Sequence, residues 1–318
     1  MKSDYVAGLA VGDEVSDLFA VRTVEFKEYS GGKMIILELV DRTGRIKGIL
    51  WEGSSELMRD LKAGGIYKVS GTVTTYKSEN QITVNKVETC KKFDLDDFLP
   101  RGEYSYEELE RRLDKAIAGI SDPDYGGLLK NLFSDGELKE SFLNGVGGKL
   151  WHHNYIGGLA EHSFAMFDLC DDFCRLYKEL DRELLLTGAI AHDIGKIRTY
   201  SLESAIDYTS EGRLLGHIVM GDEIIRNVID TIGDFPDEKA LKLRHLILSH
   251  QGTLEQASPV VPMMPESMAL YAADLLDSKL AAFRRIRTKE KRPGVEWSNY
   301  VNLLNRHLYF GSEEDENG

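Results

Sequence analysis

The chain has 318 residues and a mass of 35.8 kDa, room for about two domains of ordinary size. With 42% hydrophobic and 29% charged residues, 7 Pro and 30 Gly, the composition excludes collagen-like, mucin-like and disordered classes. No apolar run reaches the ~18 residues of a membrane span, the first residues lack the apolar core of a secretory signal, and three irregularly spaced cysteines make neither a disulfide framework nor a metal knuckle. A cytoplasmic protein that does not enter a membrane is expected.

Net charge is −14, unevenly spread. Residues 1–93 carry 14 Lys and Arg against 13 Asp and Glu, net +1, which leaves net −15 for the rest. Contact with a polyanion therefore belongs mainly to the first third.

That third reads as strands. Residues 19–29, 34–40 and 45–51 are rich in β-branched, aliphatic and aromatic side chains, with turn residues at 30–32 and 41–44. Residues 54–63 place Leu57, Met58 and Leu61 at helical spacing and stop at Gly64-Gly65. Two more strands are expected over 66–77 and 81–89. The order β-β-β-α-β-β is that of the five-stranded OB barrel, a fold that often binds single strands.

The polar stretch after Lys91, with Pro100, reads as a linker. Ser105 and Glu108 have capping-box spacing before Leu109, Leu113, Ala116 and Ile117 recur on one helical face. From there the pattern is helical throughout. Met166, Cys170, Phe173, Tyr177 and Leu180 make one stripe, and residues 184–191 are apolar all round, as in a central buried helix. Boundaries follow: a barrel over 1–93, a linker over 94–104, a helical domain over 105–310 and an acidic tail over 311–318.

The histidines carry the chemistry. His192-Asp193 ends the apolar helix, and a carboxylate beside a neutral imidazole is costly to bury unless a cation joins them. His162 lies 30 residues earlier, and His217, His250 and Asp274 follow. Mixed His and Asp ligands suit Mn, Fe, Co, Ni or Zn, and a carboxylate bridging two close metals suits in-line attack on a phosphodiester.

The series His162, His192-Asp193, Asp274 resembles the H…HD…D signature of the HD metal-dependent phosphohydrolase superfamily. With WHHNYIGGLAEH at 151–162, HDIGK at 192–196, LLGHI at 214–218, ILSHQG at 247–252 and SPVVP at 258–262, the chain resembles the YhaM-type 3′→5′ exoribonucleases from about residue 15 to about residue 310. The resemblance implies a multidomain fold: an N-terminal all-β OB barrel, which binds nucleic acid, followed by an all-α HD-type phosphohydrolase domain. It also implies two divalent metals, manganese first, with single-stranded RNA as substrate and nucleoside 5′-monophosphates as product. Single-stranded DNA is a further candidate, and an oligomer is compatible with the sequence. Where the family usually has two histidines, this chain has His250-Gln251, and the metal role passes to His250.

Residue by residue, the resemblance gives His162, His192 and Asp274 to one metal, His217 and His250 to the other, and Asp193 to both. Lys196, three residues after the doublet, is expected to hold a phosphate oxygen. His152 and His153 are read as substrate contacts, as donors that orient a ligand, or as packing at the helix start, and Asp277 as a carboxylate that orients a ligand or lies on the helix surface. In the barrel, Phe26, Tyr29, Trp51 and Tyr76 are candidates to stack bases, Trp51 and Tyr76 first, with Lys33, Arg45, Lys47 and Lys77 following phosphates. The basic run 284–292 is read either as a guide for RNA or as a solvated helix end. A rival function, hydrolysis of a free nucleotide or dinucleotide with the barrel binding a partner, differs by lacking any chain-length preference.

Overall fold

The computed structural model describes residues 2–29, 32–51, 61–77, 79–90, 92–149, 153–202 and 206–312. It divides into two compact units, Met1–Glu103 with Tyr200–Thr209, and Tyr104–Thr199 with Ser210–Gly318. Among the described residues no helix is long and apolar enough to cross a membrane.

Strands β1 (Glu14–Tyr29), β2 (Gly32–Asp41), β3 (Gly44–Trp51), β4 (Ile66–Tyr76) and β5 (Glu79–Thr89) close a barrel in the order β1-β2-β3-β5-β4. Only β3 and β5 pair in parallel, so a crossover must join β3 to β4. The helix expected there lies largely outside the described residues. Period-two alternation sends Ile35, Leu37, Leu39, Leu50, Ile82 and Val84 into the barrel core. β1 starts at Glu14, five residues earlier than the sequence pattern indicated. Residues 14–20 pair with β4 and residues 20–29 with β2, and the register shifts between Val21 and Thr23, where the strand bends from one neighbour to the other.

The second unit is built on α1 (Tyr106–Ala118), α2 (Pro123–Leu132), α3 (Gly136–Leu143), α4 (Gly158–Leu176), α5 (Arg182–Ala191), α6 (Lys196–Thr199), α7 (Ser210–Leu215), α8 (His217–Ile232), α9 (Asp237–Ser249) and α10 (Pro265–Glu290). The capping box forms at α1: Ser105 Oγ accepts from the Glu108 amide, and the Glu108 carboxylate accepts from the Ser105 amide. In α5 every residue from 184 to 191 is buried. α4 ends at Leu176, so the expected stripe overruns it, and Tyr177 is exposed.

The expectation of an entirely helical second half is corrected in two places. β6 (Tyr200–Leu202) and β7 (Ile206–Tyr208) form a two-stranded sheet, and residues 291–312 leave the helical pattern, with bridges between Trp297 and Tyr309 and between Val301 and Arg306. Three-residue strands are too short to show alternation in a sequence.

Two glycines let helices approach closely. A Cβ on Gly188 of α5 would crowd Leu246 of α9, and one on Gly195 would overlap the backbone of His217 and Gly221 in α8. The C-terminal ends of α5 and α9 and the start of α8 thus converge.

Candidate metal centre

Each element delivers its side chain from a defined place. His162 lies on α4, His192 caps the C-terminal end of α5, His217 opens α8, His250 caps α9, and Asp274 lies on α10. Asp193, directly after α5, stands among them. Its Oδ2 is 3.5 Å from His162 Nε2 and 3.3 Å from His192 Nε2. Its Oδ1 is 3.4 Å from His217 Nε2 and 3.5 Å from His250 Nε2. Asp274 Oδ1 is 3.4 Å from His162 Nε2. Each carboxylate oxygen of Asp193 thus faces its own pair of imidazoles.

The outer ring nitrogens decide what those imidazoles present inward. His192 Nδ1 donates to the Ala189 carbonyl at 3.0 Å, His250 Nδ1 to the Ile247 carbonyl at 2.7 Å, and His162 Nδ1 to Asp277 Oδ2 at 2.7 Å. A ring that carries its one proton on Nδ1 turns a lone pair on Nε2 towards a carboxylate. Asp193 Oδ1, His217 Nε2 and His250 Nε2 are buried and have no hydrogen-bond partner among the described residues. Acceptors that face one another out of water need a cation between them.

Spacing fits the same conclusion. Donors each about 2.1 Å from one ion stand roughly 3.0–3.4 Å apart, close to the observed separations. Among the described residues, His162, His192 and Asp193 form one group able to hold an ion, and Asp193, His217 and His250 form another. A third grouping, His153, His162 and Asp277, is joined by hydrogen bonds to Asp277.

Electrostatics separates His162 from His192 and His217. Burial lowers His192 and brings His217 down to about 3, so both are neutral, as a ligand must be. Burial also opposes charge on His162, but Asp274, Asp277 and Asp193 outweigh it and raise that imidazole to about 9. Positive charge is favoured where these carboxylates meet. Burial works against the Asp193 carboxylate too, yet Lys196 and the imidazoles hold it well below the usual range.

Lys196 Nζ is buried, 2.5 Å from Asp193 Oδ2 and 2.6 Å from the Gly147 carbonyl, so two of its three donors are engaged. Both ring nitrogens of His153 are taken: Nε2 is 2.8 Å from Asp277 Oδ2 and Nδ1 is 2.9 Å from Tyr155 Oη. That is the arrangement of a residue orienting Asp277. Tyr155 donates in turn to Glu161 Oε2 at 2.7 Å. Tyr155 and Glu161 belong to the 151–162 motif, yet their roles were not assigned from sequence. His152 lies outside the described residues.

A family model described as an HD domain matches residues 159–279, and one described as an OB-fold nucleic acid binding domain matches residues 19–89. The fold is an OB barrel followed by an HD domain. Among solved structures, the second OB-fold domain of replication protein A from Methanococcus maripaludis is similar at 26% identity, covering 30% of this chain and 99% of that one, with a TM-score of 0.24. Asparaginyl-tRNA synthetase from Pyrococcus horikoshii, complexed with asparaginyl-adenylate, is similar at 14% identity, covering 74% of this chain and 61% of that one, also at 0.24. Scores this low do not bear on function. The HD match marks the helical unit as a metal-dependent phosphohydrolase domain, and the OB match marks the barrel as a nucleic-acid-binding fold.

The OB barrel only partly gathers its candidate residues. Arg45 and Lys47 are exposed on β3, paired with Glu38 at 3.3 Å and Glu79 at 2.6 Å. Tyr76, 61% exposed, is the register partner of Glu79 and so belongs to the same end. Trp51, 39% exposed, lies at the other end of β3, about 13 Å from Lys47 at the strand rise. The two rings put first as stackers, Trp51 and Tyr76, therefore lie at different register positions of the barrel. Phe26 is exposed, and Lys33 and Lys77 are placed beside Glu28 and the Tyr76 ring. The Tyr29 side chain lies outside those described.

Proposed function

We propose that this protein is a divalent-metal-dependent 3′→5′ exoribonuclease that releases nucleoside 5′-monophosphates from single-stranded RNA, with single-stranded DNA as a further candidate substrate. The observation that carries the reading is Asp193, whose two oxygens face separate imidazole pairs through their Nε2 atoms, in an HD domain on one chain with an OB barrel. The polarity and the product follow from the resemblance to YhaM-type enzymes.

His162, His192, Asp193 and Asp274 would hold one ion, and Asp193, His217 and His250 the other, with manganese first among the candidates. Divalent ions held there supply Lewis acidity towards a phosphodiester and lower the pKa of water. The chain's own residues do the rest. Asp277 fixes His162, and the carbonyls of Ala189 and Ile247 fix His192 and His250. Lys196 steadies the Asp193 carboxylate and keeps one N–H for a phosphate oxygen. The OB barrel captures the strand. Three free cysteines, two of them buried, suit action in the reducing cytoplasm.

Asp193→Ala tests the reading. Hydrolysis of RNA should fall by several orders of magnitude while RNA affinity changes little, because capture belongs to the barrel. Retention of more than about a tenth of wild-type turnover would contradict a bridging role.

A further inference from the structure

The end of α10 and residues 291–312 make a small structure of their own. Val301, Leu308 and Phe310 pack with Phe283, Ile286, Val295 and Leu304 in a separate apolar cluster. Lys291 Nζ donates to the Gly311 carbonyl at 2.9 Å and helps hold the segment on the helix. This cluster uses none of the rings Trp297, Tyr300, His307 and Tyr309. Trp297 and Tyr309 meet across a bridge with ring centroids 4.9 Å apart, and Tyr300 and His307 lie 5.3 Å apart. Trp297, Tyr300 and Tyr309 remain 55%, 52% and 50% exposed. Large rings that serve no core yet stay in water mark a surface with a ligand.

Charge identifies the ligand's class. Residues 284–312 hold seven Lys and Arg against two Glu, net +5 in a chain of net −14. Arg284, Arg285, Arg287, Lys289, Arg292 and Arg306 are exposed, while Glu290 is engaged by the Asn299 amide and side chain. Beside Trp297 lies a concavity of about 360 Å³ lined by Lys291, Gly294, Val295, Glu296, Trp297 and Gly311. Arg284 shares α10 with Asp274, about 15 Å further along at the helical rise, and is close enough to Tyr155 to act on its hydroxyl electrostatically.

We propose that Trp297, Tyr300 and Tyr309, with the arginines of α10, form a second contact for single-stranded nucleic acid, in the helical unit and just beyond the part matched as an HD domain. Bases stack on the rings and phosphates lie along the cations, the combination that binds single strands without sequence preference. The assignment rests on the nuclease reading for the strand's being the substrate.

The test uses the full chain. Fluorescence anisotropy in EDTA measures the affinity of labelled single-stranded RNA and DNA oligonucleotides, and hydrolysis of bis(4-nitrophenyl) phosphate with Mn²⁺ measures the metal site. W297A/Y309A should weaken single-strand binding by about fivefold or more, with diester hydrolysis and melting temperature unchanged, whereas W297F, which keeps a ring, should bind like wild type. R284Q/R287Q should reduce the magnitude of the salt slope of binding by about two. Unchanged affinity in W297A/Y309A would overturn the proposal, and if sedimentation then showed loss of an oligomer, the rings would be a contact between copies. If wild type failed to hydrolyse the diester while the ring variants lost strand affinity, the nuclease reading would fall and the contact would stand.

Discussion

Asp277 Oδ2 lies 2.7 Å from His162 Nδ1, which leaves that imidazole's Nε2 as the atom facing Asp193 and Asp274. The same oxygen is 2.8 Å from His153 Nε2, and Tyr155 and Glu161 continue the chain outward. The orientation of a metal ligand is thus set by four residues beyond it, none of which faces Asp193.

Asp277→Ala should therefore weaken metal binding by about 10- to 100-fold, the usual effect of losing a partner that orients a ligand. Activity should recover substantially at high Mn²⁺. Calorimetric titration with Mn²⁺ checks the affinity, and an unchanged value would show that His162 needs no such support.

The histidine missing at position 251 gives a second expectation. His250 is the side chain facing Asp193 Oδ1, so the protein should bind two metals per chain and His250→Ala only one. Gln251→His should leave the count at two and shift affinity by no more than about 100-fold. Elemental analysis decides, and a native count of one rising to two in Gln251→His would overturn the role of His250.

These positions show what the sequence carried and what it did not. The His192-Asp193 doublet was legible because an apolar helix ends on two groups that cannot be buried alone. The barrel was legible because five alternating runs flank turn residues. The start of β1 was not, since Asp17 and Ser16 break the apolar pattern while residues 14–20 pair with β4. Nor was the distance between Trp51 and Tyr76, which depends on strand register. The exposed rings after α10 were hidden too, because aromatic residues in a sequence read as core.

Arg45→Gln with Lys47→Gln should raise KM for long RNA more than for bis(4-nitrophenyl) phosphate, because these exposed cations belong to the OB barrel. The salt slope of RNA binding should become shallower by up to about two. Equal effects on both substrates would favour hydrolysis of a free nucleotide.

Asp122 caps α2, accepting from the Asp124 and Tyr125 amides, and Lys239 binds both Asp122 and Asp124. Burial raises the Asp122 carboxyl, but Lys239 and the two amides outweigh it, and its pKa is lowered. A folded pKa below the unfolded value of about 3.9 means stability present above pH 4 and lost as pH falls through the folded pKa. Asp122→Ala should cost about 1–2 kcal/mol at pH 7, with a smaller gap from wild type at pH 3. Urea unfolding at both pH values measures the difference, and a gap that did not shrink in acid would remove the charge from the explanation.

Strand polarity tests the account most directly. Mn²⁺-loaded protein is incubated with single-stranded RNA labelled at the 5′ or the 3′ end, and products are resolved by length. A 3′→5′ exoribonuclease gives a descending ladder from the 5′ label and immediate release of labelled nucleoside 5′-monophosphate from the 3′ label. Internal fragments of mid length, early release of the 5′ label, or intact RNA alongside hydrolysis of a free nucleotide would contradict that activity.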